Sequence, residues 1–276
     1  MTALSSGPGP STIATASLRS RPPGASVITR CLAEQSMVPV RGFVAQALGR
    51  SPLSSDSRSW YVGAMGELAV AERLKQLGAD WTVLHSVPVG RGEADIDHVV
   101  IGPSGVYTIN TKHHEDAQVW VGSHKLLVNG HATDHLRNAV HEARRAGGLL
   151  TEATGLDVVV TPVVVLVGAR SLTIRQQPSG VMVLTDSQLL RWLRRRRRTP
   201  VLDTAPIVGA AEDPATWHVN GSDALVEANL DEFSALRREV RGARDVRAIW
   251  FAGAFVAGAG LVVTQLMPSA ALMFGG

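Results

Sequence analysis

Cysteine and lysine are both scarce in this chain. Cys31 is the single cysteine among 276 residues, which excludes an intramolecular disulfide framework and fits a reducing compartment. Lysine occurs only at Lys75, Lys112 and Lys125, although the chain has 27 basic residues. In so arginine-rich a chain, a position that needs only positive charge is expected to hold Arg, so the lysine at position 112 favours a requirement for a compact ammonium there. The formal charge of +3 and the pI near 9.5 are compatible with nucleic acid or anionic lipid as a partner.

Residues 1–57 lack a periodic apolar face. They are rich in Ser, Pro, Gly and Ala, and no secretory h-region is present. This composition predicts a disordered N-terminal extension over 1–57. The remainder predicts a domain over 58–200, a linker and juxtamembrane helix over 201–247, and a transmembrane segment over 248–274.

Two short β-branched runs predict a hairpin. Residues 96–101 and 106–111 are separated by Gly102-Pro103-Ser104-Gly105, the composition of a four-residue loop. We therefore expect two antiparallel strands in which Ile101 pairs with Val106.

That register has a consequence for the polar residues of the hairpin. It places Asp97 opposite Asn110, and side-chain alternation puts both on one face with Lys112. Opposed Cβ atoms are about 5 Å apart, so an acid, an amide and an ammonium can converge on one ion or phosphate. The alternative for Lys112 is a strand-end lysine whose ammonium reaches water.

A carboxylate also lies on the apolar face of a predicted helix. The pattern predicts a helix from Trp60 to Leu77, and its spacing puts Glu67 on one stripe with Val70, Ala71 and Leu74. A buried acid is costly unless it is paired or binds a metal. Glu67 is therefore either a site residue or a boundary residue that reaches solvent.

Asp97 followed by Asn110-Thr111-Lys112 resembles the Asp then (Asp/Glu)-x-Lys motif of metal-dependent nucleases. Together with Gly66-Glu67 and the Gly-Pro turn, the stretch from about Trp60 to Leu193 resembles the nuclease-related domain, NERD. The resemblance implies the restriction-endonuclease-like fold of the PD-(D/E)xK superfamily, which is a mixed β-sheet flanked by helices in an α/β domain. It also implies Mg²⁺ or Mn²⁺ as cofactor.

Four residues are the candidate catalytic groups: Asp97, Lys112, Glu67 and Asn110. Magnesium prefers oxygen ligands, so Asp97, Glu67 and Asn110 are its candidate ligands, while Lys112 would position water or stabilise phosphate oxygens. Asn110 departs from the family pattern, which has a Glu there. An amide supplies an oxygen but no negative charge, so metal affinity and activity should fall.

Candidate nucleic-acid contacts are His113 and the run Arg194–Arg198, of which Arg194, Arg195 and Arg196 are the first members. Five successive guanidinium groups could follow phosphates or contact an anionic membrane leaflet. They could equally form the solvated end of a helix. His113, with His114 beside it, could bind phosphate or be solvated.

The C-terminal part contains a long uncharged stretch. Residues 249–267 would span about 28 Å as a helix, which predicts a single transmembrane span, with a buried helix as the alternative. Arginines precede the stretch and no charge follows it, so the large N-terminal part is expected to be cytoplasmic at the cell membrane. The pair Gly253 and Ala257 has the spacing of a helix-pairing motif, which leaves a homodimer open.

Further periodic segments complete the α/β pattern. The sequence predicts strands at 125–128, 158–167 and 180–184, and helices at 134–150 and 187–197. Three functions remain open from the sequence. They are a membrane-tethered nuclease or DNA-processing protein, a nucleic-acid-binding module weakened at Asn110, and a membrane scaffold or signalling protein.

Overall fold

A computed structural model describes residues 17–89, 95–195, 203–218 and 229–271, with side chains described as far as residue 257. The strands are β1 (Thr82–Pro88), β2 (Asp95–Gly102), β3 (Gly105–His113), β4 (Gln118–Val121), β5 (Leu126–Val128), β6 (His131–Thr133), β7 (Val160–Val167), β8 (Ser171–Ile174) and β9 (Met182–Thr185). The α-helices are α1 (Ala25–Ser36), α2 (Phe43–Ala47), α3 (Ser55–Leu74), α4 (His135–Thr154), α5 (Asp186–Arg195), α6 (Thr204–Glu212) and α7 (Leu230–Ala271). Two short 3₁₀ helices cover Leu18–Ser20 and Pro214–Trp217.

The main sheet is mixed, with strand order β1-β2-β3-β7-β9. Neighbours among β1, β2 and β3 are antiparallel, whereas β3, β7 and β9 run parallel. Parallel neighbours need a crossover connection, and α4 lies in the segment that joins β3 to β7. A second sheet has the order β6-β5-β4-β8. The α/β class and the mixed sheet flanked by helices are as predicted.

The β2–β3 hairpin has the predicted register, because Ile101 pairs with Val106. Its connection is tighter than predicted, since Gly102 and Gly105 also pair and leave only two residues in the turn. Gly105 has a φ of +133°, a conformation that favours glycine. A Cβ at Gly102 would lie 2.2 Å from the Trp81 ring, so glycine is also needed there for packing.

The two faces of the main sheet pack against different helices. One face, which includes Ile101 and Val106, forms a core with Ala146 and Leu150 of α4. The opposite face, which includes Val100, Tyr107 and Ile109, forms a core with Val70 and Leu74 of α3 and Leu189 and Leu193 of α5. Alternation along β3 therefore decides whether a residue faces α4 or faces α3 and α5.

The N-terminal extension differs from the prediction for residues 17–57. This stretch contains helices, and Leu18 is only 1% exposed. Arg21 Nε donates to the Ser86 carbonyl oxygen at 2.9 Å, and the Ala25 amide donates to Ser86 Oγ at 2.9 Å. These contacts hold Arg21 and Ala25 against β1. Because β1 is far away in sequence, local composition could not reveal them. Residues 1–16 lie outside the described residues.

The prediction of a linker over 201–247 is wrong for residues 204–217. Residues 204–217 form α6 and a 3₁₀ helix, and Ile207, Ala211 and Trp217 belong to the core against α4 and β2. Trp217 is fully buried, and its Nε1 donates to the Ala211 carbonyl at 2.9 Å. The segment thus completes the domain rather than following it.

The chain divides into two compact units. One comprises residues 1–27 and 62–228, and contains both sheets; the other comprises 28–61 and 229–276. Within the second unit, Arg41 pairs with Glu239 at 2.6 Å. The Tyr61 and Phe233 rings lie 5.7 Å apart in the same unit. The two segments of this unit are therefore joined by both an ion pair and apolar packing.

The predicted transmembrane segment over 248–274 is not supported. In the part of the chain that the structure describes, no helix is both long and apolar enough to cross a membrane. Residues 248–271 form the last part of α7, and the earlier turns of this helix carry many charges. Residues 272–274 lie outside the described residues. Exposed apolar side chains do occur on α7 at Ile249, Trp250, Phe251, Phe255 and Val256.

Candidate active site

Asp97 and Asn110 lie where β2 begins and β3 ends. The ladder between β2 and β3 ends at the pair of His98 and Ile109, and Asp97 and Asn110 are the next residues on the two strands. Asp97 Oδ2 accepts a hydrogen bond from the Thr111 amide at 2.5 Å. Asp97 is 9% exposed and Asn110 is 5% exposed. By alternation Asn110 and Lys112 share one face of β3, and the Thr111 amide that contacts Asp97 lies between them in sequence.

Glu67 reaches this region from α3. It is 6% exposed, and Val70, Ala71 and Leu74 on its stripe are fully buried, as predicted. A Cβ at the preceding Gly66 would lie 2.9 Å from the Cβ of His113. The absence of a side chain at Gly66 therefore lets α3 approach β3 closely, which positions the neighbouring carboxylate.

The two carboxylates share one electrostatic environment. Burial raises the pKa of Asp97 to about 7, although the Lys112 charge and the Thr111 amide oppose this rise. Burial first, and then the charge of Asp97, raise the pKa of Glu67 well above its usual value, and Lys112 again opposes the change. Lys112 therefore stabilises the charged form of both acids, as a shared ammonium between them would.

Asn110 makes a contact that the sequence did not predict. Its Nδ2 donates to both carboxylate oxygens of Glu142 on α4, each at 2.9 Å. Burial raises the pKa of Glu142, while the Asn110 hydrogen bond and Lys112 lower it. Glu142 shares the helical stripe of Ala139, Ala143 and Ala146, which are buried. An acid on an apolar stripe, the signal that identified Glu67, also marks Glu142.

Asp97, Glu67 and Asn110 carry oxygen atoms of the kind that the predicted divalent cation prefers. The buried carboxylates lack enough positive charge to stay ionised easily, and the Asn110 Oδ1 atom is buried with no hydrogen-bond partner in the described structure. Among the described residues, however, no three His, Cys, Asp or Glu side chains are close enough to hold an ion. Magnesium commonly keeps several waters and needs only one or two carboxylates. Asp97, Glu67 and Asn110 thus remain a predicted oxygen-ligand set.

Three histidines lie near Lys112. His113 faces α3, where its Nδ1 donates to the Val62 carbonyl at 3.0 Å, so the structure does not bring it to the face of Asn110. His114 and His135 stack, with Nε2 atoms 3.2 Å apart. Burial and Lys112 lower the pKa of both, that of His135 to about 4. These two imidazoles are therefore neutral near pH 7.

Two of the predicted arginine contacts lie on α5, a different helix from those that carry Glu67 and Glu142. Arg194 and Arg195 end α5, and α5 packs on the sheet face opposite to the one that carries Asn110. Arg194 donates to the Gln76 carbonyl oxygen. Arg196 lies outside the described residues.

A basic surface cavity borders α4 instead. Its volume is about 340 Å³, and the side chains that line it include His124, Arg137, His141, Arg144 and Ser179. Arg137 also pairs with Asp134 at 3.1 Å. Hydroxyl, imidazole and guanidinium groups in one concave surface suit an anion such as a phosphate.

The buried state of Asp97 predicts an unusual pH dependence. Its pKa is about 7 in the folded chain against 3.8 for the free side chain, so the folded state retains a proton that the unfolded state releases. The contribution of Asp97 to the free energy of unfolding is therefore greatest at low pH and is lost as the pH rises through about 7.

Urea unfolding at about pH 4 to 8 should show this loss when wild type is compared with Asp97→Asn, which cannot titrate. A difference between the two proteins that does not change with pH would contradict the prediction.

Comparison with known proteins gives one match. Residues 62–167 match the family model of NERD, the nuclease-related domain. This stretch includes Glu67, Asp97, Asn110, Lys112 and Glu142, and it confirms the predicted resemblance for less than half of the chain. No curated protein matches the chain, and no solved structure does so either.

Proposed function

We propose that the chain is a metal-dependent nuclease or DNA-processing protein that hydrolyses phosphodiester bonds of nucleic acid. The observation that carries the proposal is that two buried acids, Asp97 and Glu67, share the charge of Lys112, while Asp97 is bonded to the β3 backbone between Asn110 and Lys112. The match to the nuclease-related domain covers all four residues. The restriction-endonuclease-like fold is part of this proposal.

Each residue has a role that follows from its chemistry. Asp97, Glu67 and the Asn110 Oδ1 atom would hold Mg²⁺ or Mn²⁺, and when bound this ion lowers the pKa of water and offsets negative charge on phosphate. Lys112 would stabilise the charge that develops on the phosphate oxygens during attack by water. Because the acids are buried, water screens the charges at this site less. The charge of Lys112 therefore interacts more strongly with them than it would in water.

Nucleic acid, and specifically DNA, is the proposed partner. The nuclease-related match and the basic cavity beside α4 both support a polyanion. The cavity is lined in part by α4, the helix that also carries Glu142. Binding through such groups depends strongly on salt, because it releases counterions.

The proposal is tested with the whole chain, incubated with supercoiled DNA, linear DNA and RNA, with and without Mg²⁺ or Mn²⁺. We expect cleavage of DNA only with the ion, and loss of cleavage on addition of EDTA. Cleavage that persists without any divalent ion would reject the metal-dependent mechanism. A chain that neither cleaves nor binds nucleic acid would reject the function.

A second candidate is a nucleic-acid-binding module with weakened catalysis. Asn110 favours it, because an amide replaces the carboxylate expected in the family and contributes no charge of its own. Under this alternative, binding of DNA measured by gel shift would persist while cleavage stays at the level of the uncatalysed control.

Location at the cell membrane and pairing of α7 helices remain predictions from the sequence. The exposed apolar residues of α7 are compatible with a membrane surface or a partner. Fractionation of cells that produce the whole chain or a chain ending at residue 247 tests the location. Recovery of both proteins in the soluble fraction would contradict it.

A further inference from the structure

The contact between Asn110 and Glu142 fixes the orientation of the Asn110 amide. A carboxylate accepts hydrogen bonds and cannot donate them when it is ionised, so the amide atom that faces Glu142 must be the NH₂ group. Both carboxylate oxygens lie 2.9 Å from that nitrogen. The amide cannot rotate by 180° without placing its oxygen against the two carboxylate oxygens.

This orientation leaves the Asn110 oxygen available. Oδ1 lies on the other branch of the planar amide, is buried, and has no hydrogen-bond partner among the described residues. Asn110 itself is 5% exposed. Buried polar atoms in native proteins are nearly always satisfied, so the unpartnered Asn110 oxygen indicates a site for a ligand that accepts electron pairs, such as a metal cation.

Glu142 also brings a carboxylate into contact with the strand residue that stands where the family pattern has a Glu. It is partly buried on α4 and interacts with Lys112, the same ammonium that acts on Asp97 and Glu67. The charge that Asn110 lacks on β3 is therefore present one hydrogen bond away, on a different element of the fold.

We infer that Glu142 replaces the missing strand carboxylate, so that Asn110 Oδ1 and the Glu142 charge together act as one ligand unit for a divalent cation. This inference rests on the proposed function and adds a residue to its site. Glu142 acts through Asn110 and is a positioning residue, whereas Asn110 would contact the ion. The loss of metal affinity expected from Asn110 alone is then offset by the carboxylate of Glu142 on α4.

The test measures Mn²⁺ binding to the whole chain by calorimetry, together with the rise in melting temperature that Mn²⁺ causes. Glu142→Gln removes the charge but retains an oxygen that can accept from Asn110, so it isolates the electrostatic part of the contact. We expect Mn²⁺ binding to weaken about 10- to 100-fold. The double variant Asn110→Glu with Glu142→Gln returns a carboxylate to β3 and should restore binding to within a few-fold of wild type.

Glu152→Gln is the matched control, because Glu152 lies exposed on the same helix. It should leave Mn²⁺ binding unchanged. A merely structural role for Glu142 would lower the melting temperature without metal and leave the affinity for Mn²⁺ intact, and that result overturns the inference. If Glu142→Gln does not fold, Glu142→Asp, which withdraws the carboxylate by one methylene, should weaken binding in the same direction, and unchanged binding would overturn the inference.

The outcomes separate the two proposals. If wild type binds Mn²⁺ and cleaves DNA while Glu142→Gln does both equally well, the inference fails and the proposed function stands. If wild type neither binds Mn²⁺ nor cleaves, both fail together.

Discussion

Replacement of Lys112 by methionine is expected to lower the rate of DNA cleavage by about 100- to 1,000-fold, the usual effect of removing one group that stabilises charge in the transition state. Methionine keeps most of the apolar stem and removes only the ammonium. Because Lys112 also stabilises the ionised forms of Asp97 and Glu67, some loss of metal affinity should accompany the loss of rate. Cleavage rates at saturating Mn²⁺ separate the two effects.

Asp97→Asn provides the complementary variant. Asparagine retains an oxygen that can accept from the Thr111 amide, so the hairpin should keep its geometry while the charge is lost. We expect loss of both Mn²⁺ binding and cleavage, in contrast to Lys112→Met. Lys125→Met is the control for Lys112, since Lys125 is exposed on the segment before β5. Cleavage that persists in both site variants would reject the proposed active site.

Truncation of Trp217 to alanine is expected to reduce the free energy of unfolding by about 3–5 kcal/mol, as for other buried tryptophans. The indole is fully buried in the core that includes Ile207 and Ala211, and its NH is bonded to a carbonyl. The loss would be a large part of the stability of a domain, which is typically about 5–15 kcal/mol. Urea unfolding measures it.

Trp120→Ala is the matched control for Trp217, because Trp120 is 38% exposed on β4. Its effect should be much smaller. Equal effects at the two positions, or a loss below about 1 kcal/mol at Trp217, would show that residues 204–217 do not complete the core and that the segment is a linker after all.

Local patterns predicted the hairpin register and the burial of Glu67. The register of the hairpin follows from strand alternation and a short turn, and the burial of Glu67 follows from the helical period of its neighbours. Both features need information from only a few adjacent residues. The strand positions of Asp97, Asn110 and Lys112 therefore follow from the sequence alone.

Contacts between distant segments could not be derived in the same way. The bond from Arg21 to Ser86 orders a segment whose own composition predicts disorder. Glu142 meets Asn110 only because the helix that crosses from β3 to β7 packs at one particular offset on the sheet. Arg194 has the right charge for a phosphate contact, but the topology places its helix on the opposite face. Charge and composition do not encode such offsets.

The core that joins Leu18 to Trp217 has a consequence for biosynthesis. These residues belong to one apolar cluster although they are separated by about 200 positions along the chain. At about 5–20 residues per second, a ribosome needs about 10–40 s to pass from one to the other. During that time the emerging strands must remain partly uncovered, so the nascent polypeptide should depend on chaperones more than a protein whose core closes from consecutive segments.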